Sequence, residues 1–135
     1  MAEKDFSLLI VDDQQGVRRL LYEAFSDEGY RVRIAAGGQE ALKMICQEMP
    51  DIVLLDIKMP GMNGLETLAE LRKTDPEVPV LMMTAYGDLE MVSQAKKLGV
   101  RHYITKPFDL NEVRLLVKAL LVDSSRKTDE FQEIG

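Results

Sequence analysis

Short apolar segments alternate with amphipathic segments along the whole chain. The apolar segments predict β-strands at residues 8–11, 31–35, 52–55, 80–83 and 102–104. Three of them are almost entirely aliphatic, which is typical of strands that are buried on both faces of a parallel sheet. The pattern therefore predicts a sheet that is covered by helices on both sides.

The segments between the predicted strands have the spacing of amphipathic helices. The apolar stripe of the first helix consists of Val17, Leu20, Leu21, Ala24 and Phe25. At about 100° per residue this stripe is about 140° wide, which exceeds the ~100° that a core-facing helix needs. We therefore expect one edge of this helix, at Val17 or Leu20, to stay exposed.

The alternation of strands and helices predicts a single α/β domain. Parallel strands joined by right-handed crossovers form one doubly wound five-stranded sheet, of the flavodoxin type with strand order 2-1-3-4-5. The last predicted helix has Asp109 as its N-cap and Glu112 as the partner in a capping box. We expect the domain to occupy residues 1–122 and residues 123–135 to form a polar, disordered tail.

Composition narrows the class of protein. The 135 residues include 17 basic and 23 acidic side chains, a net charge of −6, which argues against a general nucleic-acid-binding surface. The single cysteine, Cys46, excludes an internal disulfide and a cysteine-based zinc site, and its place in the second helix indicates a core position. No signal peptide is visible, and no apolar segment approaches the ~20 residues of a membrane helix. We therefore expect a soluble, cytoplasmic domain.

Polar side chains stand where four of the predicted strands end. Asp12 and Asp13 follow the first strand, Asp56 the third, Thr84 the fourth and Lys106 the fifth. The carboxyl ends of parallel strands meet at one edge of the sheet, where ligands bind in such folds. Carboxylates ~4 Å apart repel by about 4 kcal/mol per pair at an effective dielectric constant of 20, and a divalent cation removes this penalty. Oxygen ligands of this kind favour Mg²⁺, with Mn²⁺ as the alternative ion.

Four segments carry these residues: LLIVDDQ (8–14), VLLDIKMPGMNG (53–64), MMTAYG (82–87) and YITKPFD (103–109). Together they resemble the receiver domain of bacterial two-component response regulators, which has the CheY-like fold. The resemblance implies that Asp56 is the phosphoacceptor, which attacks a phosphohistidine and forms an acyl phosphate. Such a transfer depends on positioning and charge neutralisation more than on covalent chemistry by the protein.

The resemblance also assigns the remaining side chains at this edge. It implies that Asp13 binds Mg²⁺ directly and Asp12 through water, beside Asp56. It implies that the Lys58 backbone carbonyl adds a further metal ligand. Thr84 and Lys106 match the pair that contacts the phosphoryl group, and Tyr103 matches the switch aromatic.

Residues 12–30 and 60–66 carry a narrower resemblance, to stand-alone receivers of the sporulation phosphorelay. It implies a monomeric phosphoryl carrier rather than a turnover enzyme, which accepts phosphate from a histidine kinase and passes it to a histidine phosphotransferase. The sporulation receiver has a histidine where Tyr103 stands, so we expect no histidine-specific role at this position. The docking surface that the resemblance implies consists of Gln14, Gln15, Gly16, Val17, Leu20, Pro107 and Phe108.

Three other functions stay open. The chain could be an input domain cut from a nitrogen-regulation-type transcription factor, which shares the MTAYG and TKPFDL segments, or a stand-alone chemotaxis-type regulator. The third is a Mg²⁺-dependent hydrolase with an aspartate nucleophile, although the chain shows no second acid and no cap segment. Because a polar tail is all that follows the last predicted helix, we expect an effector that acts in trans.

Overall fold

A parallel sheet forms the centre of the computed structural model, which describes residues 6–85 and 89–134, with residues 124–134 as backbone only. The five strands lie in the order β2-β1-β3-β4-β5, so the predicted fold class and strand order are confirmed. The strands are β1 Ser7–Val11, β2 Arg31–Ala35, β3 Ile52–Asp56, β4 Val80–Ala85 and β5 His102–Lys106. The helices are α1 Gln15–Asp27, α2 Gly38–Gln47, α3 Gly64–Thr74, α4 Leu89–Lys97 and α5 Leu110–Ile134.

The central strands are buried because helices cover both of their faces. Successive side chains of β1 alternate between two cores, since side chains of a strand point to opposite faces. Leu8 and Ile10 pack on the side of α1 and α5, and Leu9 and Val11 pack on the side of α2, α3 and α4. The outer strands β2 and β5 contain exposed positions, as edge strands commonly do.

Helix α1 has the exposed edge that its wide apolar stripe predicts. Leu21, Ala24 and Phe25 are buried against the sheet. Leu20 is 47% exposed, and Val17 is only partly buried. The apolar edge therefore lies at Leu20, on a helix that begins directly after the predicted site residues.

Cys46 is exposed, which corrects the prediction of a core position. The buried stripe of α2 runs through Gly38, Ala41 and Ile45. Each residue turns the helix by about 100°, so a side chain directly after Ile45 has already turned past the edge of the stripe.

Helix capping also differs from the predicted pattern. Asp109 does cap α5, but its Oδ1 accepts from the backbone N–H of Asn111 at 2.8 Å rather than from Glu112. A complete capping box occurs instead at the start of α3, where Asn63 and Glu66 bond each other's backbone N–H groups.

Helix α5 continues to Ile134, across most of the segment for which the sequence predicts a disordered tail. Residues 123–134 contain no glycine or proline, so none of the usual residues ends the helix at 122. The side chains that anchor α5 on the sheet are Val113, Val117, Leu120 and Leu121. Within the described residues, no helix has the length and apolar content that a membrane crossing requires.

Candidate functional site

The carboxyl ends of β1, β3 and β5 bring three carboxylates and one ammonium group together. Asp12, Asp13 and Asp56 offer carboxylate oxygens that all lie within 4.8 Å of one another. Lys106 Nζ lies 2.6 Å from Oδ2 of Asp12 and 3.5 Å from Oδ2 of Asp56. Asp12 and Asp56 are buried, whereas Asp13 is exposed. The cluster therefore forms at the predicted edge of the sheet and is open to solvent at Asp13.

Backbone and side-chain contacts fix the position of Asp12. Its Oδ1 accepts from the backbone N–H of Gln14 at 2.8 Å, and its backbone N–H donates to the carbonyl of Ala35 at 3.1 Å. Arg18 of α1 donates through Nη1 to the Asp12 carbonyl at 2.6 Å. The start of α1 and the end of β2 thus hold this carboxylate in place.

Asp56 is the last residue of β3, and its environment disfavours ionisation. Burial, followed by the charge of Asp12, raises the pKa of Asp56 to about 6. The ammonium of Lys106 lowers this pKa, as does the backbone N–H of Lys58, which donates to Oδ1 at 3.3 Å. A hydrogen bond with Asp13 raises it. A second positive charge beside Asp56 would therefore favour the carboxylate form.

The neighbouring strands supply Thr84 and Tyr103. Thr84 is buried in β4 and pairs in register with Thr105, the residue before Lys106. Its hydroxyl therefore belongs to the same end of the sheet as Asp56, whose own partner in the register is Met83. Tyr103 lies on the edge strand β5 and is 41% exposed.

The residues of the implied docking surface lie around this edge. Pro107 and Phe108 follow β5, and Phe108 is partly buried against the core that α1 and α5 share with the sheet. A Cβ atom added to Gly16 would meet no other atom within 4 Å, so nothing inside the described chain requires a glycine there. The other members, Gln14, Gln15 and Leu20 at α1, are exposed, and Val17 is partly buried.

The acidic cluster suits a divalent cation by the chemistry of its donors. Its ligand atoms are all carboxylate oxygens, and two of the carboxylates are buried. Lys106 pairs with Asp12 and Asp56, and one ammonium group neutralises only part of the charge of three carboxylates. Hard oxygen donors with an open side fit Mg²⁺, which keeps several of its waters.

Two features of the site were not predicted from the sequence. Arg18 donates to the Asp12 carbonyl. The only sign of this contact in the sequence is that Arg18 lies one helical turn after Gln14. Gly64 begins α3 directly beside β3, and a Cβ atom there would lie 2.3 Å from the Asp56 carbonyl oxygen. A glycine immediately after the N-cap Asn63 is the signal that could have revealed this close approach.

Gly64→Ala is expected to destabilise the fold, because the added methyl group would also lie 2.6 Å from the Ile57 Cα. Overpacking of this kind costs about 1–3 kcal/mol of unfolding free energy. Urea denaturation measures the change. Gly16→Ala is the matched control, since its Cβ has open space and alanine favours a helix by up to about 1 kcal/mol. Equal stability of the two variants would contradict the close approach of α3 to β3.

Comparison with known proteins adds independent findings. The profile of the response regulator receiver domain matches residues 8–118. The chain is 48% identical over 114 residues to sporulation initiation phosphotransferase F of Bacillus subtilis. The match covers 84% of this chain and 92% of that protein. It is 42% identical over 121 residues to regulatory protein AtoC of Escherichia coli, covering 89% of this chain but only 26% of AtoC. A CheY-like receiver domain protein from Methanospirillum hungatei superposes with a TM-score of 0.87 at 32% identity, covering 90% of this chain and 98% of that one.

Proposed function

The chain belongs to the response regulator receiver family, and we propose that it carries a phosphoryl group on Asp56 in a phosphorelay of the sporulation type. The observation that carries this proposal is the buried Asp56 carboxylate, which lies beside Lys106, Asp12 and Asp13 at an open edge of the sheet. The similarity to sporulation initiation phosphotransferase F, over 92% of that protein, supports the relay role. The proposed partners are a histidine kinase as donor and a histidine phosphotransferase as acceptor, and the proposed location is the cytoplasm.

In the proposed reaction, an oxygen of the ionised Asp56 attacks the phosphorus of a phosphohistidine. The new O–P bond forms as the P–N bond breaks, and the electron pair of the broken bond stays on the ring nitrogen. The imidazole leaves as a neutral ring when its other nitrogen carries a proton. The product is an acyl phosphate, from which a second histidine takes the phosphoryl group by the reverse chemistry.

Charge neutralisation is the main contribution of the surrounding residues. Lys106 Nζ already lies 3.5 Å from the Asp56 carboxylate, from where it can pair with a phosphoryl oxygen. Thr84 would donate its hydroxyl to another phosphoryl oxygen, and Tyr103 would respond as the switch aromatic. Mg²⁺ or Mn²⁺, held by Asp12, Asp13, Asp56 and the Lys58 carbonyl, would supply further positive charge.

A second candidate is a receiver that forms part of a longer regulator. The chain is 42% identical to AtoC but covers only 26% of it. The chemistry at Asp56 is the same in both cases. Onward transfer to a histidine separates them, because the relay role requires it.

A partner histidine must reach Asp56 across the exposed start of α1 and the segment after β5. We assign the docking surface to Gln14, Gln15, Gly16, Val17, Leu20, Pro107 and Phe108. Leu20 supports this assignment, because this leucine of α1 is 47% exposed and so offers apolar area to a partner. The open space at Gly16 would permit close approach of a partner helix.

Leu20→Ala and Phe108→Ala are expected to slow phosphoryl transfer from a phosphohistidine protein by at least about fivefold. Truncation of an important contact residue at the centre of an interface weakens binding by about this factor. Labelling by the small donor phosphoramidate should stay at the wild-type rate. The matched control is Leu115→Ala, which removes a leucine that is 69% exposed on α5. Equal losses with both kinds of donor would place Leu20 and Phe108 in the chemistry or the fold and would refute the docking surface.

A further inference from the structure

Lys106 has a third contact, which the phosphoryl chemistry does not require. Its Nζ donates to Oε1 of Gln14 at 3.3 Å, besides its contacts with Asp12 at 2.6 Å and Asp56 at 3.5 Å. An ammonium group has three N–H donors, so these acceptors can use all of them. The contact with the phosphoacceptor is the longest of the set.

Gln14 contacts both partners of the Asp12–Lys106 ion pair. Its backbone N–H donates to Oδ1 of Asp12 at 2.8 Å, while its side-chain oxygen accepts from Lys106. Because Oδ2 of the same aspartate accepts from Lys106, the three residues form a closed ring of hydrogen bonds. This ring, which we call the Gln14–Asp12–Lys106 ring, holds the ammonium on the Asp12 side of the site.

The side chain of Gln14 does not act as a helix cap. Gln14 is the N-cap residue of α1, yet its side chain makes no capping hydrogen bond. Serine, threonine, aspartate and asparagine are the side chains that cap helices well. The amide of Gln14 therefore serves Lys106 rather than the helix.

We propose that Gln14 is a positioning residue that holds Lys106 in a resting position and so limits the rate at which Asp56 is phosphorylated. This inference rests on the proposed function. A phosphoryl group arriving at Asp56 adds negative charge there and draws the ammonium towards it. The hydrogen bond to Gln14 stabilises the resting position only, so it must break before Lys106 can follow the charge.

Two substitutions with opposite expected effects test the ring. Gln14→Met keeps the length of the side chain but removes the acceptor, and Gln14→Glu replaces the neutral acceptor with a charged one. With phosphoramidate and Mg²⁺, the maximal labelling rate should rise about two- to tenfold in Gln14→Met. This fold-change corresponds to the net free energy of one hydrogen bond. The rate should fall about two- to fivefold in Gln14→Glu, because the free energy of an exposed ion pair corresponds to a change of this size.

The controls separate positioning from net charge and from folding. Gln39→Glu makes the same substitution at an exposed position of α2 and should leave the labelling rate unchanged. In Gln14→Met the donor concentration that gives half the maximal rate should not change, because the ring acts on Lys106 rather than on donor binding. Unchanged melting temperatures would show that the variants are folded equally well.

Three results would overturn the inference. The first is a Gln14→Met rate at or below that of the wild type. The second is an equal fall in Gln14→Glu and Gln39→Glu. The third is a wild-type protein that takes no phosphoryl group from phosphoramidate, which overturns the proposed function and this inference together. If the wild type is labelled and the Gln14 variants are labelled at the same rate, the role of Gln14 is refuted while the proposed function stands.

Discussion

Asp56→Asn is expected to abolish labelling by every phosphodonor and to stabilise the metal-free protein near pH 7. The amide is close in volume to the carboxylate but cannot act as the nucleophile. Burial and the charge of Asp12 raise the pKa of Asp56 to about 6, so the ionised form weakens the folded state. A shift of this size corresponds to at most about 3 kcal/mol of unfolding free energy, which the substitution would recover.

The pH dependence of this gain has a definite sign. Between about pH 4 and pH 6 the folded protein binds more protons at Asp56 than the unfolded chain does, so its stability falls as the pH rises. The stabilisation by Asp56→Asn should therefore be full above pH 6 and vanish below pH 4. Thermal melts in the presence of a chelator at both pH values measure it, and intact mass measures the labelling.

Asp27→Asn is the matched control, because it removes one exposed carboxylate from α1. It should keep the labelling of the wild type and should not show the pH-dependent gain. An Asp56→Asn protein that still accepts phosphate at wild-type rate and stoichiometry would refute the phosphoacceptor assignment. A gain in stability that is the same at both pH values would refute the raised pKa as its cause.

Removal of the divalent cation is expected to have the second largest effect. Chelation, or Asp13→Ala, should lower the labelling rate by at least about a hundredfold. Loss of a residue that only hydrogen-bonds to a metal ligand already costs about 10- to 100-fold, and here the ion or one of its ligands is removed. Mg²⁺ at ten times its dissociation constant should stabilise the wild type by about 1.4 kcal/mol through mass action. That corresponds to a rise in melting temperature of roughly 3–11 °C.

Asp13→Ala should lose most of this Mg²⁺-dependent rise, because the substitution removes the exposed carboxylate of the proposed metal site. Asp27→Ala should retain it. A wild-type melting curve that does not respond to millimolar Mg²⁺ would contradict a metal site at Asp12, Asp13 and Asp56.

The fold could be predicted because its determinants are local. Aliphatic runs such as residues 52–55 indicate burial on both faces of the sheet, and the spacing of apolar residues in α1 indicates its core-facing side. The convergence of Asp12, Asp56 and Lys106 follows from the same pattern, since parallel strands end at one edge. Where the periodicity was ambiguous, as for Cys46 at the border of a stripe, the sequence prediction was wrong.

The remaining features depend on contacts between distant parts of the chain. The bond between Gln14 and Lys106 joins residues 92 positions apart, and its geometry depends on where the ends of β1 and β5 lie in the sheet rather than on either segment alone. The approach of Gly64 to the Asp56 carbonyl likewise depends on where α3 lies over the sheet. Local periodicity carries no information about either distance.

Relay transfer is the direct test of the proposed role of Asp56. The wild-type protein is incubated with Mg²⁺ and a histidine kinase domain that carries labelled phosphohistidine, and the modified residue is mapped by peptide mass. A histidine phosphotransferase is then added and the label is followed. The expected result is a base-labile phosphoryl group on Asp56 that disappears as label appears on the acceptor histidine. Label on another residue, or steady release of inorganic phosphate without transfer, would contradict the proposed role.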